Sequence, residues 1–179
     1  MAYYRTRTYI AADFDHDKDA VDQLYTWKNS NHWSLDFSDA HDLQTSSDNS
    51  LPCSIKSSLS LRMSASKTFV LIVGDHTNTI KKGGCQLCGS YNSHTYACAK
   101  GYSVDYRSYV KYECDIARNT ADDGKMKIIV LYKSTTVDKS KCPDAVKDIG
   151  YHVQMEKYEN GKYYWDYQSV KAAFDWANG

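Results

Sequence analysis

One acid in this chain sits where an acid is expensive. Between Asp105 and Thr120 the residues Tyr106, Tyr109, Val110, Ile116 and Ala117 recur at helical spacing, and Glu113 falls inside their stripe. A carboxylate aimed at a core is costly unless it is paired or put to work. Paired, it meets a Lys or Arg, the usual state of a buried carboxylate. Free and partly desolvated, it is a strong electrostatic partner for positive charge that develops on a reacting group. A second set of ionisable residues is spread along the chain: Asp13, Asp15 and His16, then Asp39, His41 and Asp42, then Asp75 and His76. A third is the spacing Cys85-x2-Cys88-x5-His94-x3-Cys98, where three thiols and an imidazole have the ligand types of a tetrahedral zinc site. The same spacing also fits reduced cysteines in a surface loop.

The elements that must position these groups follow from hydrophobic period. Lys67–Val73 and Lys127–Tyr132 are apolar on both faces, which predicts buried parallel strands, and the helix bearing Glu113 is their crossover. Thr8–Ala12 reads as a first strand. It runs into an acidic turn that caps a helix with Ala20, Val21, Leu24 and Tyr25 inward. Trp33, Leu35 and Phe37 alternate with polar residues, which predicts an edge strand. Pro52 opens a helix marked by Ile55, Leu59 and Met63. Val153–Tyr158 and Tyr163–Trp165 flank Asn160-Gly161, a hairpin signal, and Val170, Ala173, Phe174 and Ala177 give a closing helix. The expected architecture is one α/β domain over 1–179, a doubly wound, mainly parallel five-stranded sheet with helices on both faces. Its core is 8–133, the Cys/His insertion 83–101, and a C-terminal hairpin and helix fill 150–179. Ligands of such sheets bind beyond the carboxyl ends of the strands, where the three acidic sets are expected to lie.

Composition narrows the partners. With 22 basic and 22 acidic residues there is no electrostatic footprint for nucleic acid or an anionic membrane. No stretch is long and apolar enough to span a bilayer, and the first residues lack the apolar core of a signal peptide, so a cytoplasmic protein with reduced cysteines is expected.

The ordered pieces Thr8-Tyr-Ile-Ala-Ala-Asp13, Phe37-Ser-Asp-Ala-His-Asp42, Ile55-Lys-Ser-Ser-Leu59, Ser66-Lys-Thr-Phe-Val-Leu-Ile-Val-Gly74 and Tyr109-Val-Lys-Tyr-Glu113 together resemble the TIR-like family of bacteria and archaea, which includes the TIR subunits of Thoeris antiphage defence systems. The resemblance covers about residues 8–133. It implies a flavodoxin-like TIR fold and cleavage of the nicotinamide–ribose bond of NAD⁺, with no cofactor required. The product would be ADP-ribose or a cyclised or conjugated signal read by a downstream effector. Glu113 matches the family's catalytic glutamate, Asp13 and Phe14 the loop lining the nucleotide cleft, and Asp39 and His41 the loop after the second strand. Asp75, after the third strand, joins the expected substrate-binding set. The insertion before Glu113 departs from the family pattern. Two other readings remain: a non-catalytic TIR-like scaffold that self-associates, and a receiver domain binding Mg²⁺ through Asp13, Asp15 and Asp75.

Overall fold

The computed structural model describes residues 4–40 and 50–179. Strand β1 (Arg7–Ala11) leads through a turn at 13–17 into helix α1 (Lys18–Lys28), which buries Ala20, Val21, Leu24 and Trp27. Helix α2 (Pro52–Ser64) begins with its proline in the first turn, where the missing N–H costs nothing, and feeds strand β2 (Ser66–Val73), buried at every position but Lys67. A two-strand ladder, β3 (Tyr91–Asn92) and β4 (Ala97–Cys98), lies in the insertion. Helix α3 (Tyr109–Asp122), strand β5 (Lys127–Tyr132) and strand β6 (Tyr151–Gln154) follow, then the hairpin β7 (Glu156–Glu159) and β8 (Lys162–Trp165), and helix α4 (Tyr167–Asn178).

The main sheet has the order β1-β2-β5-β6, with every pairing parallel. Helices α1 and α4 cover one face, packing on Ile10, Val70, Ile72, Ile129 and Leu131. Helices α2 and α3 cover the other, against Tyr9, Ala11, Phe69, Leu71, Ile128 and Val130. Neighbouring residues of one strand thus serve opposite cores, as the period of two requires. Both expectations of doubly buried central strands hold, and the architecture is the α/β, flavodoxin-like arrangement.

Three expectations need correction. The fifth strand, expected over Trp33–Phe37, is absent among the described residues. Leu35 and Phe37 are buried and alternate with exposed neighbours, yet this segment meets β1 only at a bridge between Thr8 and Asp39. The reason is local. Ser34 has a positive φ of 43°, and the Leu35 N–H donates to Trp27 O at the end of α1, so the backbone turns back to its helix before it reaches the sheet. Counted in that edge position, the segment completes the order 2-1-3-4-5 of a doubly wound fold.

The expected hairpin strand Val153–Tyr158 is two strands. Met155 separates them: its N–H donates to Tyr132 O and its carbonyl accepts from Asp166 N, so β6 joins β5 while β7 pairs with β8. The Asn160-Gly161 turn is as expected, with φ of 50° and 78°, the two positive values a tight hairpin needs.

Finally, α3 starts at Tyr109, and Tyr106 is exposed outside it. Ser108 caps the helix by accepting from Lys111 N, and the Asp105 carboxylate takes up Arg107 N, which holds the preceding residues out of helical geometry.

Candidate functional site

Glu113 faces inward from α3 beside Val110, Cys114 and Ala117, and only 6 % of it is exposed. Opposite stands Tyr9 of β1, on the same face of the sheet. Its ring stacks on Phe69 and its hydroxyl donates to Glu113 Oε1. Burial pushes the Glu113 carboxyl up to about 7, although the Tyr9 hydrogen bond and the charge of Arg62 both favour ionisation. Burial, and then the neighbouring acid, raise Tyr9 well above the ordinary phenol range, so Tyr9 remains the donor. Arg62, buried on α2, acts on Glu113 through charge without a hydrogen bond between them, and its Nε has no hydrogen-bond partner. The ion pair considered for Glu113 is therefore not formed with this guanidinium.

These groups open on a cavity of about 230 Å³ at the carboxyl end of β1. Ala12, Asp13 and Phe14 form one wall, Ile55, Leu59 and Arg62 of α2 a second, and Tyr109, Val110 and Glu113 of α3 a third; Ile80 and Lys82 stand at the rim. The cavity lies beside the β1–β2 boundary, where the winding of the sheet reverses. Asp13 is buried there. Its carboxylate accepts from Asp15 N at 3.1 Å and meets His16 Nδ1 at 2.7 Å. The His16 ring packs on His76, with centroids 4.3 Å apart, and Lys82 bridges to Asp15 at 2.8 Å, so two loops are joined across the rim.

Glu113, Asp13 and Phe14 are thus brought together, whereas two other expected residues are not. Asp39 pairs with Thr8 near the beginning of β1 and accepts from the Tyr25 hydroxyl of α1, which packs on the opposite core. Asp75 follows β2 as expected, but its exposed carboxylate is taken by Lys141 at 2.6 Å, and that hydrogen bond holds it below the usual carboxylate range. Neither lines the cavity. His41 lies outside the described residues. The acids of the receiver reading diverge in the same way, each toward its own partner: Asp13 to His16, Asp15 to Lys82, Asp75 to Lys141. Among the described residues, no three His, Cys, Asp or Glu side chains are grouped tightly enough to hold a metal ion as they stand.

Sequence reasoning missed Tyr9, Arg62 and Lys82. A tyrosine in a doubly buried strand must satisfy its hydroxyl, so Tyr9 was itself a pointer to a polar partner on α3 or α2. Arg62 gave less signal, standing next to Met63 of the inward stripe.

Among the described residues no helix is long and apolar enough to cross a membrane. No curated protein gives a match. The family model described as the TIR-like domain of Thoeris protein ThsB matches residues 2–82, which carry β1, α1, α2 and β2 and stop short of Glu113. With that match and its doubly wound parallel sheet, the chain resembles the TIR-like domain of Thoeris ThsB over residues 2–82.

Proposed function

We propose that this chain cleaves the nicotinamide–ribose bond of NAD⁺ and that Glu113 carries the reaction. The observation behind this reading is a buried carboxyl, held by a phenol and not by a cation, at the wall of a cavity beside the switch point of the sheet. Nicotinamide departs neutral with the electron pair of the broken bond, so its departure needs no acid. Positive charge builds on the ribose, and an ionised Glu113 alongside lowers its energy. A water that then adds to the anomeric carbon releases a proton, which a carboxylate with a pKa near 7 is suited to accept. A hydroxyl or ring nitrogen of the same molecule adding in place of water gives a cyclised product.

At about 230 Å³ the cavity is smaller than the roughly 300–1,000 Å³ of sites that enclose a whole drug-sized ligand. It suits the nicotinamide riboside end, with the phosphates toward the Lys82 rim and the charge of Arg62. The resemblance to a Thoeris protein supports a role in antiphage defence, in which the product acts as a nucleotide signal to an effector in the cytoplasm. The test is incubation with NAD⁺ over a range of protein concentrations, with mass spectrometry of the products. Nicotinamide release that disappears in Glu113→Gln supports the reading.

A second reading, assembly through TIR–TIR contacts without catalysis, draws on the exposed aromatic rings of the hairpin, Tyr158, Tyr163 and Tyr164. It predicts concentration-dependent association and intact NAD⁺ in the same assay.

A further inference from the structure

The insertion between β2 and α3 has an organised backbone but no core of its own. Residues 85–107 include no buried residue, and none of them belongs to either hydrophobic cluster. They nonetheless form a helical turn at Cys85–Leu87 and the β3–β4 ladder. Segments this poor in apolar burial need a staple, a disulfide or a metal, to stay ordered.

We propose that Cys53, Cys85, Cys88 and Cys98 form a four-thiolate structural zinc site that fastens this insertion to the start of α2. All four thiols are free, half-buried, and line one small cavity of about 20 Å³, closed otherwise mainly by apolar groups such as Pro52 and Tyr91. The backbone around two of them is arranged for thiolates. Leu87 N donates to Gly84 O and Cys88 N to Cys85 O, which curls Cys85-Gln-Leu-Cys88, and both cysteines line the same cavity. Ser90 N then points at Cys88 Sγ (3.5 Å) and Asp105 N at Cys85 Sγ (3.2 Å). Amide donors to sulfur favour the charged form and orient it, the supporting role that outer-sphere groups play around a metal. The β3–β4 register sets Cys98 directly across from Tyr91, which brings the third sulfur over the same cavity.

Cys53 supplies the fourth position, which linear spacing assigns to His94. That histidine is exposed at the β3–β4 turn, where its backbone N–H and that of Thr95 donate to the Asn92 side chain, and it does not line the cavity. As placed, the thiols are wider apart than one coordination shell. Binding would draw the four sulfurs inward from the cavity walls to Zn–S distances of about 2.3 Å. Each thiol gives up its proton to solvent as it binds, so affinity falls on acidification. The site also bears on the larger cavity: Lys82 and Tyr109 flank the insertion, are joined by Tyr109 N donating to Lys82 O at 2.9 Å, and both line that cavity.

The experiment is metal analysis of the full chain expressed in zinc-supplemented medium. One zinc per chain is expected, retained through dialysis. His94→Ala should keep it, and Cys53→Ala should lose at least nine-tenths of it. Substoichiometric zinc in the wild type overturns the proposal, as does a disulfide among the four cysteines in the intact mass. Zinc kept by Cys53→Ala but lost by His94→Ala would overturn the assignment of the fourth ligand. Where Cys53→Ala does not fold, cobalt-loaded wild-type protein gives the answer: the thiolate-to-cobalt charge-transfer intensity of four sulfurs supports the site, and that of three or fewer contradicts it.

Discussion

Helices α1 and α2 cross opposite faces of the same sheet and finish them in opposite ways. Helix α1 buries Ala20, Val21, Leu24 and Trp27, and with α4 it fills its face with hydrocarbon and rings. Helix α2 buries Lys56, Ser58, Arg62 and Met63. Its apolar Ile55 and Leu59 wall a cavity, and Leu59 is only half-buried where it meets the core beneath. Lys56 shows how the polar face is held together: its Nζ donates to Arg107 O at 2.7 Å, which ties α2 to the residues just ahead of α3. One face is closed by packing. The other carries buried polar groups, of which Lys56 is hydrogen-bonded while Ser58 Oγ and Arg62 Nε are not, and Glu113 is on that side, where the conflict between burial and charge is available for chemistry.

If that contrast is right, truncation should be felt unequally. Leu24→Ala, at a fully buried position on the filled face, is expected to cost about 2–5 kcal/mol in urea unfolding. Leu59→Ala, at a half-buried position already open on a cavity, should cost less than about 1.5 kcal/mol. Equal losses would erase the distinction between the faces.

The next largest effect has the opposite sign. The folded pKa of Glu113, about 7, lies above its unsupported value of 4.5, so ionisation opposes folding. Wild-type stability should therefore fall as pH rises from 4.5 to about 7 and level off beyond. Glu113→Gln removes the penalty and should gain about 2–3 kcal/mol at pH 8, with no gain at pH 4, read from denaturant midpoints at both pH values. A variant less stable than wild type at pH 8 would mean that the carboxylate is better solvated than its burial indicates. Smaller still is the influence of the two groups that favour the ionised form. Tyr9→Phe and Arg62→Gln should each move the Glu113 titration above 7, followed by carboxyl carbon NMR; a downward move would contradict the roles assigned to them. The smallest effect is expected from Asp75→Asn. It removes an exposed pair with Lys141 and should leave both the Glu113 titration and NAD⁺ turnover unchanged.

Much of this was legible in the residues. Runs apolar on both faces could only be β2 and β5, and the Val170, Ala173, Phe174 and Ala177 stripe of α4 is buried as its spacing required. Alternation was less informative. In Trp33–Phe37 it identified which side chains are buried, but whether a ladder forms depends on where the backbone donors go, and Leu35 donates to α1. The site divided along the same line. Glu113 was visible because helical spacing fixes a direction. Asp39 and Asp75 were misgrouped because the end of a strand fixes neither the face of the sheet nor the partner, and Tyr25 and Lys141 decided those. Cys53 was invisible because its partners are brought near only by folding.

The central claim is that Glu113 works as an ionised carboxylate, and it is tested most directly by the pH dependence of kcat/KM for NAD⁺ cleavage in the wild type and in Glu113→Gln. The wild-type value should rise about tenfold per pH unit up to roughly 7 and then flatten, and Glu113→Gln should fall by about 10³-fold at the plateau. Cleavage by Glu113→Gln at the wild-type rate, or a wild-type profile flat through neutrality, would contradict it.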